Sequence, residues 1–480
     1  MWRTKLLIGR EDPWWRRKKL RLEGPGITSH KHVIGLTGQG KSKFLAHCFV
    51  ELVSQGIACS LVDPHSDLAD DVLGMLADRG LADDRLFFID FGRRDRFVPF
   101  NVLRQPYPDD KVASIMVEAC KRVWPALADG NAPMFENVML AGCHTLIENR
   151  LPFAAFPLLV SDNRYRAELL SHVTDPLVKH FFHATFDRLS IKDQLDQAGS
   201  SLRRVFDLVQ PHELRYTIGQ TENALDFRKI MDSGQSAIYD LGGLEEQTQK
   251  FLGALISHGY EVASLSRADM RESDRIPHHL FLDEFSMFSA TTEGALGRIL
   301  SLARKYKLTL WLAHQTWGQL SERLANALQN TTRVAFSLGF QDARVMAPNF
   351  TKFDPLAIKF ATSDESGRVS QQFFGVQDTF EKMATELQSL RPRHIMVRYP
   401  HMDRSWWFWR KPAIHIARVK TPTVGSNATR ERIAELRERY AQKYLRPRED
   451  VTKEVDSLLA MEALMSDAEP PPLEEPYYLT

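Results

Sequence analysis

The stretch that most constrains this chain is Gly35-Leu36-Thr37-Gly38-Gln39-Gly40-Lys41-Ser42, the full G-x-x-x-x-G-K-[ST] spacing. It lies between an apolar, strand-like pair, Val33 and Ile34, and a helix-like run over 44–53. Strand, glycine-rich turn and helix in that order make a phosphate cradle. Gly35, Gly38 and Gly40 let backbone N–H groups curl toward a β-phosphate, and the helix adds its positive N-terminal end. Lys41 then neutralises the β- and γ-phosphates and Ser42 is the expected Mg2+ ligand, while Thr37, Gln39 and Lys43 complete the stretch that wraps the nucleotide. The competing reading is a glycine-rich turn with a stray lysine, and both flanks speak against it. The chain is expected to bind a nucleoside triphosphate with Mg2+.

At 480 residues there is room for two or three domains, and 43% hydrophobic with 26% charged residues is the composition of an ordinary soluble globular protein. Sixty-two basic against sixty-one acidic residues leave a formal charge of +1, so any nucleic-acid contact has to come from local patches. Cys48, Cys59, Cys120 and Cys143 show no C-x-x-C spacing and suit a reducing compartment as buried apolar residues. No apolar run reaches the 18 or so residues of a membrane span. The N-terminus is charged and aromatic, unlike a signal peptide. A cytoplasmic location follows as the expectation.

The first 34 residues are locally basic, and Trp14-Trp15-Arg16-Arg17-Lys18-Lys19 sets that charge beside two indoles. Such a mix suits a membrane surface, stacking on nucleic acid, or a solvated strand edge whose tryptophans pack on the core. Alternation in Lys19-Leu20-Arg21-Leu22 favours a strand. After the first helix, Ala58-Cys59-Ser60-Leu61-Val62 reads as a strand ending in Asp63-Pro64-His65-Ser66-Asp67. Next to the P-loop strand, such a polar cluster falls where open α/β sheets place active sites, which makes Asp63 a catalytic candidate. The plainer reading is a turn at Asp63-Pro64 and a helix N-cap at Ser66 or Asp67. A third strand is expected over 86–90. The loop Gly92-Arg93-Arg94-Asp95-Arg96 after it is either a phosphate-backbone contact or a solvated charge run. From 109 to 228 apolar residues recur at helical spacing, as in Val112, Ile115, Met116, Ala119 and Val123, and indicate an all-helical insertion.

The strand pattern returns at 236–241, followed by a long helix over 245–267 and then by Leu280-Phe281-Leu282-Asp283-Glu284. This last run describes a buried strand with carboxylates at its tip, Asp283 to hold the Mg2+ shell and Glu284 to polarise the attacking water. Alone it says little; after a P-loop and before a further strand it says much more. A helix is expected over 293–305 and a strand over 308–313 that terminates in His314-Gln315. Gln315 is the candidate sensor of the γ-phosphate or its water, or else a surface residue in a turn. His314 reads as a local structural residue. Arg304, in Arg304-Lys305-Tyr306-Lys307, closes the preceding helix, where a cation suits the dipole, or serves a neighbouring subunit as an arginine finger. Strands over 334–338, 394–399 and 406–409 complete the sheet. Residues 426–445 read as a surface helix with Ile433, Leu436 and Tyr440 on one stripe. From 451 the tail turns acidic and ends in Pro470-Pro471-Pro472 and Tyr477-Tyr478, a composition for disorder or partner docking.

This ordered set resembles the HerA/FtsK-like P-loop ATPases and, within them, the cytosolic motor of conjugative coupling proteins of the TraG/TraD type. The residues that carry the likeness are His30-Lys31-His32-Val33-Ile34-Gly35, Val62-Asp63-Pro64-His65-Ser66-Asp67-Leu68, Leu282-Asp283-Glu284-Phe285, Arg304-Lys305-Tyr306 and Leu312-Ala313-His314-Gln315. It covers roughly residues 20 to 420, and Ser29 stands where such proteins often have an arginine. The resemblance implies an α/β fold, a RecA-like P-loop ATPase core with an inserted all-helical domain. It implies a motor domain over 1–103 and 229–425, the insertion over 104–228, and a helical extension with an acidic tail over 426–480. It further implies a hexameric ring with DNA in a central pore, Lys41 and Ser42 on nucleotide and Mg2+, Asp283 and Glu284 in hydrolysis, Gln315 as sensor and Arg304 in trans. The loops around Arg93 to Arg96 and Phe288 to Thr292 are candidates to line that pore. The family's N-terminal spans and β-barrel have no counterpart here, so recruitment to the inner membrane is expected through a partner. The expected function is an ATP-driven DNA translocase of conjugative type IV secretion, whose insertion and tail dock a relaxosome or secretion channel. The alternatives are a HerA-like DNA-end-processing or defence motor working with a nuclease, and an ATP-regulated assembly platform that does not translocate.

Overall fold

In the computed structural model, residues 4–12, 18–124, 133–289, 300, 303–352, 358–363, 369–373, 375–404 and 410–466 are described. The run 13–17, most of the helix expected over 293–305, the strand expected over 406–409 and the tail beyond 466 lie outside them, as do 290–292 of one candidate pore loop. The chain forms two compact units, Met1–Asp90 with Phe227–Ala441 and Phe91–Asp226 with Gln442–Thr480.

The first unit is organised on an 11-stranded sheet. In chain order its strands are β1 (Lys5–Glu11), β2 (Lys19–Glu23), β3 (Lys31–Ile34), β4 (Ala58–Asp63), β5 (Leu86–Asp90), β6 (Ser236–Asp240), β7 (His278–Leu282), β8 (Leu308–His314), β9 (Thr332–Ala335), β10 (His394–Arg404) and β11 (Arg410–Lys420). Across the sheet they run β2-β1-β11-β10-β9-β3-β8-β7-β4-β6-β5. From β9 to β5 every neighbouring pair is parallel. From β9 back to β2 every pair is antiparallel. The parallel strands β3, β4, β6, β7, β8 and β9 are buried at every residue, which is why β4, β6, β7 and β8 read as largely apolar runs without alternation, while β3 buries Lys31 and His32 and β9 buries Arg333. β2, on the antiparallel edge, alternates instead.

The register sets the working end of the sheet. Ile34 stands opposite His314, and Leu312 opposite Leu282, so β3, β8 and β7 finish at nearly one level. β4, expected beside the P-loop strand, is separated from β3 by β8 and β7, because two later crossovers return into that gap. Trp311 anchors the centre: its ring stacks on Phe281 at 4.7 Å, its N–H donates to His279 Nδ1 at 3.0 Å, and the Lys31 ammonium lies 5.0 Å from its ring centre. Helix Glu246–Ser266 is buried on nearly all sides, as its apolar residues all around the axis require.

Helix Arg430–Tyr444 buries Leu436 and Tyr440 on its apolar stripe. Beside them Arg437 reaches Asp70 at 2.6 Å, Asp90 at 2.7 Å and Asp240 at 2.5 Å. One guanidinium thus ties the helix to the ends of β5 and β6. All four cysteines are free and buried.

The second unit is helical among its described residues apart from one short strand pair, Arg96–Phe97 with Arg446–Pro447. Its helices start on side-chain caps where the sequence offers them: Asp162 accepts from the Arg164 and Tyr165 amides, and Asp175 from that of Leu177. The buried Arg166 is satisfied by Asp187, Asn163 and the carbonyls of Leu159 and Val160. Helix Arg448–Ser466 packs Val451 and Val455 against Phe97 and Tyr216, and its Glu454 accepts from Thr221 and Arg446.

Replacing Arg437 leaves Asp240 buried without its cation, and breaking such a pair from one side costs about 3 kcal/mol. Urea unfolding of Arg437→Ala is expected to show a loss of that size. Arg437→Lys should recover only part of it, since one ammonium cannot span three carboxylates with a planar fork.

Candidate active site

β3 runs straight into the glycine turn. A Cβ on Gly35 would stand 2.5 Å from the Phe336 Cβ, so no other residue fits there. Gly40 takes φ +99° and launches helix Lys41–Ser54, whose first N–H groups have no intrahelical acceptors. The turn is held from its flank: the Leu36 N–H donates to Ser337 O at 3.0 Å, and the Arg393 N–H to Gln39 O at 3.0 Å. The buried Lys41 ammonium donates to the carbonyls of Gly35 at 2.7 Å and Leu36 at 3.2 Å. Burial lowers its pKa, and the charges of Glu284 and Asp283 partly offset that. Lys43 turns its side chain away to Asp71 at 2.6 Å, leaving its backbone to the turn.

Across from the helix start stand the acidic residues that come after β7. Asp283 faces Ser42, whose hydroxyl donates to Oδ2 at 3.3 Å. Burial, with the Glu284 charge adding to it, pushes the Asp283 carboxyl up to about 6. Glu284 takes φ +45°, a left-handed conformation that costs a residue with a side chain on the order of 1 kcal/mol. The gain is a hydrogen-bonded line: Gln315 Nε2 donates to Glu284 Oε1 at 2.9 Å, and the Thr37 hydroxyl donates to Gln315 Oε1 at 3.0 Å. P-loop, β8 tip and β7 tip are thereby joined through three side chains.

Asp63 stands apart from that line. Its two oxygens accept the amides of His65 at 2.9 Å and Ala69 at 2.8 Å, so it shapes the loop into helix Asp67–Asp78. Burial lifts its carboxyl to about 6 even so. Arg304 is exposed on the short helix Ala303–Tyr306, ahead of β8. The seven residues of β8 put about 20 Å between that end of the sheet and Gln315. Arg304 therefore does not reach the P-loop of its own chain.

Two contacts, one between His32 and His314 and one made by Arg393, carry no signal in local sequence. His32 Nε2 and His314 Nε2 lie 2.6 Å apart under the P-loop, and burial keeps both below the usual histidine range, His314 at about 4. A neutral pair of this kind holds one N–H···N hydrogen bond and fixes the strand end from which Gln315 projects. Arg393, far away in sequence, closes the P-loop flank at φ +64°. The donor set fits a magnesium-bound triphosphate. A buried lysine and a glycine turn at a helix start match the phosphates, and a serine hydroxyl beside a buried carboxylate matches a hard cation.

No known family description matches the chain, and no curated protein matches it by sequence. Solved structures do share its fold. The plasmid coupling protein TrwB in complex with the non-hydrolysable ATP analogue ADPNP is 14% identical, with a TM-score of 0.57 over 89% of this chain and 97% of that one. TrwB in complex with ADP and Mg2+ is 14% identical, TM-score 0.55, over 88% and 96% of the two chains. VirB4 of Thermoanaerobacter pseudethanolicus is 13% identical, TM-score 0.53, over 88% and 97%. The chain has the RecA-like α/β P-loop fold of these structures.

Asp63 gives a pH signature. Its folded pKa, about 6, lies above the ordinary aspartate value, so its contribution to stability is complete below about pH 4 and lost as pH rises through 6. Asp63→Asn carries no such titration. Relative to the parent, the variant is expected to gain about 2 kcal/mol between pH 4 and pH 7 in denaturant unfolding.

Proposed function

We propose that this protein is an ATP-hydrolysing, ring-forming motor that moves DNA in conjugative, type IV secretion transfer. The observation that carries the reading is the line from Thr37 through Gln315 to Glu284, which links phosphate loop, sensor position and water-activating position. A nucleotide-binding module that does not hydrolyse needs the loop and Lys41 but has no use for a strained glutamate held by a strand-tip amide. Backbone N–H groups of the turn and Lys41 would hold the triphosphate, and Ser42 with Asp283 would hold Mg2+. The cation, when bound, neutralises charge that builds on the phosphoryl oxygens. Glu284 orients the attacking water and accepts its proton, and Gln315 reads whether the γ-phosphate is present. Arg304, too distant in its own chain, acts on the nucleotide of the next subunit. Its exposure at the end of β8 away from the P-loop leaves it accessible to another subunit. The solved structures with this fold support the assignment, since one is named a conjugative coupling protein and others hold ADPNP or ADP with Mg2+. The helical unit and the acidic tail dock the protein partners, at the periphery of the inner membrane.

The purified protein should hydrolyse ATP faster with DNA than without. Glu284→Gln should retain nucleotide binding and lose at least about 100-fold in kcat, while Lys41→Ala loses binding and strand displacement. Hydrolysis indifferent to single- and double-stranded DNA, with transport intact in Lys41→Ala, sinks the proposal.

Arg304 is tested by mixing inactive subunits. Arg304→Ala and Glu284→Gln proteins, each inactive alone, are expected to regain partial hydrolysis when combined, because some interfaces then hold both intact residues. Absence of rescue at every mixing ratio would show that Arg304 does not work in trans.

A further inference from the structure

At the end of the antiparallel flank nearest the P-loop, the cross-strand pairing is unusual. Lys19 of β2 is the register partner of Arg10 of β1, and Arg10 is in turn the partner of Lys420 of β11. Register partners in antiparallel strands project on the same face, so three cations stand in a row on neighbouring strands. All three are exposed. The other end of the same hairpin obeys the ordinary rule, with Lys5 opposite Glu23 in an ion pair of 3.1 Å. Two residues beyond Arg10, Asp12 is engaged by Arg418 at 3.0 Å and lies 3.8 Å from His394. Among the described residues no carboxylate pairs with Arg10, Lys19 or Lys420. Like charges directly opposite destabilise a sheet, so this row is a cost that a bound anion would offset.

The row lines a cleft of about 500 Å3, together with Gly9, Arg393, Thr421 and Thr423. Among the described residues its apolar lining is Leu7 and Pro422. A concave site of this volume takes a phosphate backbone and not the much wider body of a duplex. Its concave form does not suit a lipid surface. From first to third strand the cations span about 10 Å, long enough to meet more than one phosphate of a strand. The cleft is also wired to the P-loop. Arg393 donates through Nη2 to the Thr423 hydroxyl at 2.5 Å, its carbonyl accepts from Thr421 N–H at 2.9 Å, and its own N–H holds Gln39 O.

We infer that this cleft binds the phosphate backbone of a single strand of nucleic acid, with Lys19, Arg10 and Lys420 on successive phosphates. Arg393 then carries the state of the strand to the turn at Gln39 and Gly40. The choice of nucleic acid over another polyanion rests on the DNA-motor reading; the row, the cleft and its link to the P-loop do not.

The test is equilibrium binding of a fluorescent single-stranded oligonucleotide across a salt series. It compares the parent, the triple variant Arg10→Gln/Lys19→Gln/Lys420→Gln, and a charge-matched control, Arg271→Gln/Lys352→Gln/Arg430→Gln. Each lost phosphate contact lowers the slope of log K against log salt by about 0.7, so the triple variant should lose about 2 in slope and about 10-fold or more in affinity. The control should keep both. If parent and triple variant bind alike with the same slope, this inference fails and the motor reading stands. If the parent binds no nucleic acid, both fail. If the triple variant binds the oligonucleotide normally but loses attachment to phosphatidylserine vesicles, the row is a membrane contact and the inference is overturned.

Discussion

The ladder of β3, β8 and β7 decides where the chemistry can occur. Parallel strands hydrogen-bonded in a fixed register bring Ile34, His314 and Leu282 to nearly one level, so the residues next in the chain after each of them emerge at a common rim. Those residues are the glycine turn, Gln315 and the Asp283-Glu284 pair. A slip of one residue in β8 would turn Gln315 to the other face and break both its hydrogen bonds, to Thr37 and Glu284. The stacked Trp311 and Phe281, with the His279 bond to the indole, pin that register from inside the sheet. Packing far below the rim therefore acts on a site it never touches.

Burial does the rest of the electrostatic work, and it does so at a cost. Asp63, Asp240 and Asp283 sit at the ends of neighbouring parallel strands, and burial lifts each of them to about 6. Each is ionised near neutral pH only because something nearby compensates: two amides for Asp63, Arg437 and Ser66 for Asp240, Ser42 and Lys41 for Asp283. For Asp283 that compensation is partial, which leaves it ready to gain from a cation. For Asp63 it comes from the backbone of the following loop and for Asp240 from the side chains of Arg437 and Ser66.

Much of this was legible in the sequence because it is local. The glycine turn, the strand ending in Asp283-Glu284, the strand ending in Gln315 and the stripe of Leu436 and Tyr440 are each encoded by spacing within one element. The features that escaped depend on contacts between distant segments. The order of strands between β3 and β4 is set by crossovers that no single stretch encodes. His32 and His314 are 282 positions apart, and the hydrogen bond between them has no local pattern. Arg393 looks like any loop arginine until its amide is found on Gln39. The pairing of Arg446 with Phe97, which brings C-terminal residues into the helical unit, was equally hidden.

The P-loop is commonly treated as a strand, a turn and a helix, but here the turn has a fourth support. Leu36 hangs on Ser337 and Gln39 on Arg393, so both sides of the glycine turn are fastened to chain that lies just after β9 or just before β10. β10 belongs to the antiparallel flank through its full pairing with β11, and β11 pairs with β1. One route from that flank to the backbone between Gly38 and Gly40 is therefore the hydrogen bond that Arg393, a strained residue, donates to Gln39. The flank also carries the unpaired cations. A sheet of parallel strands alone would hold phosphate equally well. The antiparallel addition gives the nucleotide turn a second surface to which it can respond.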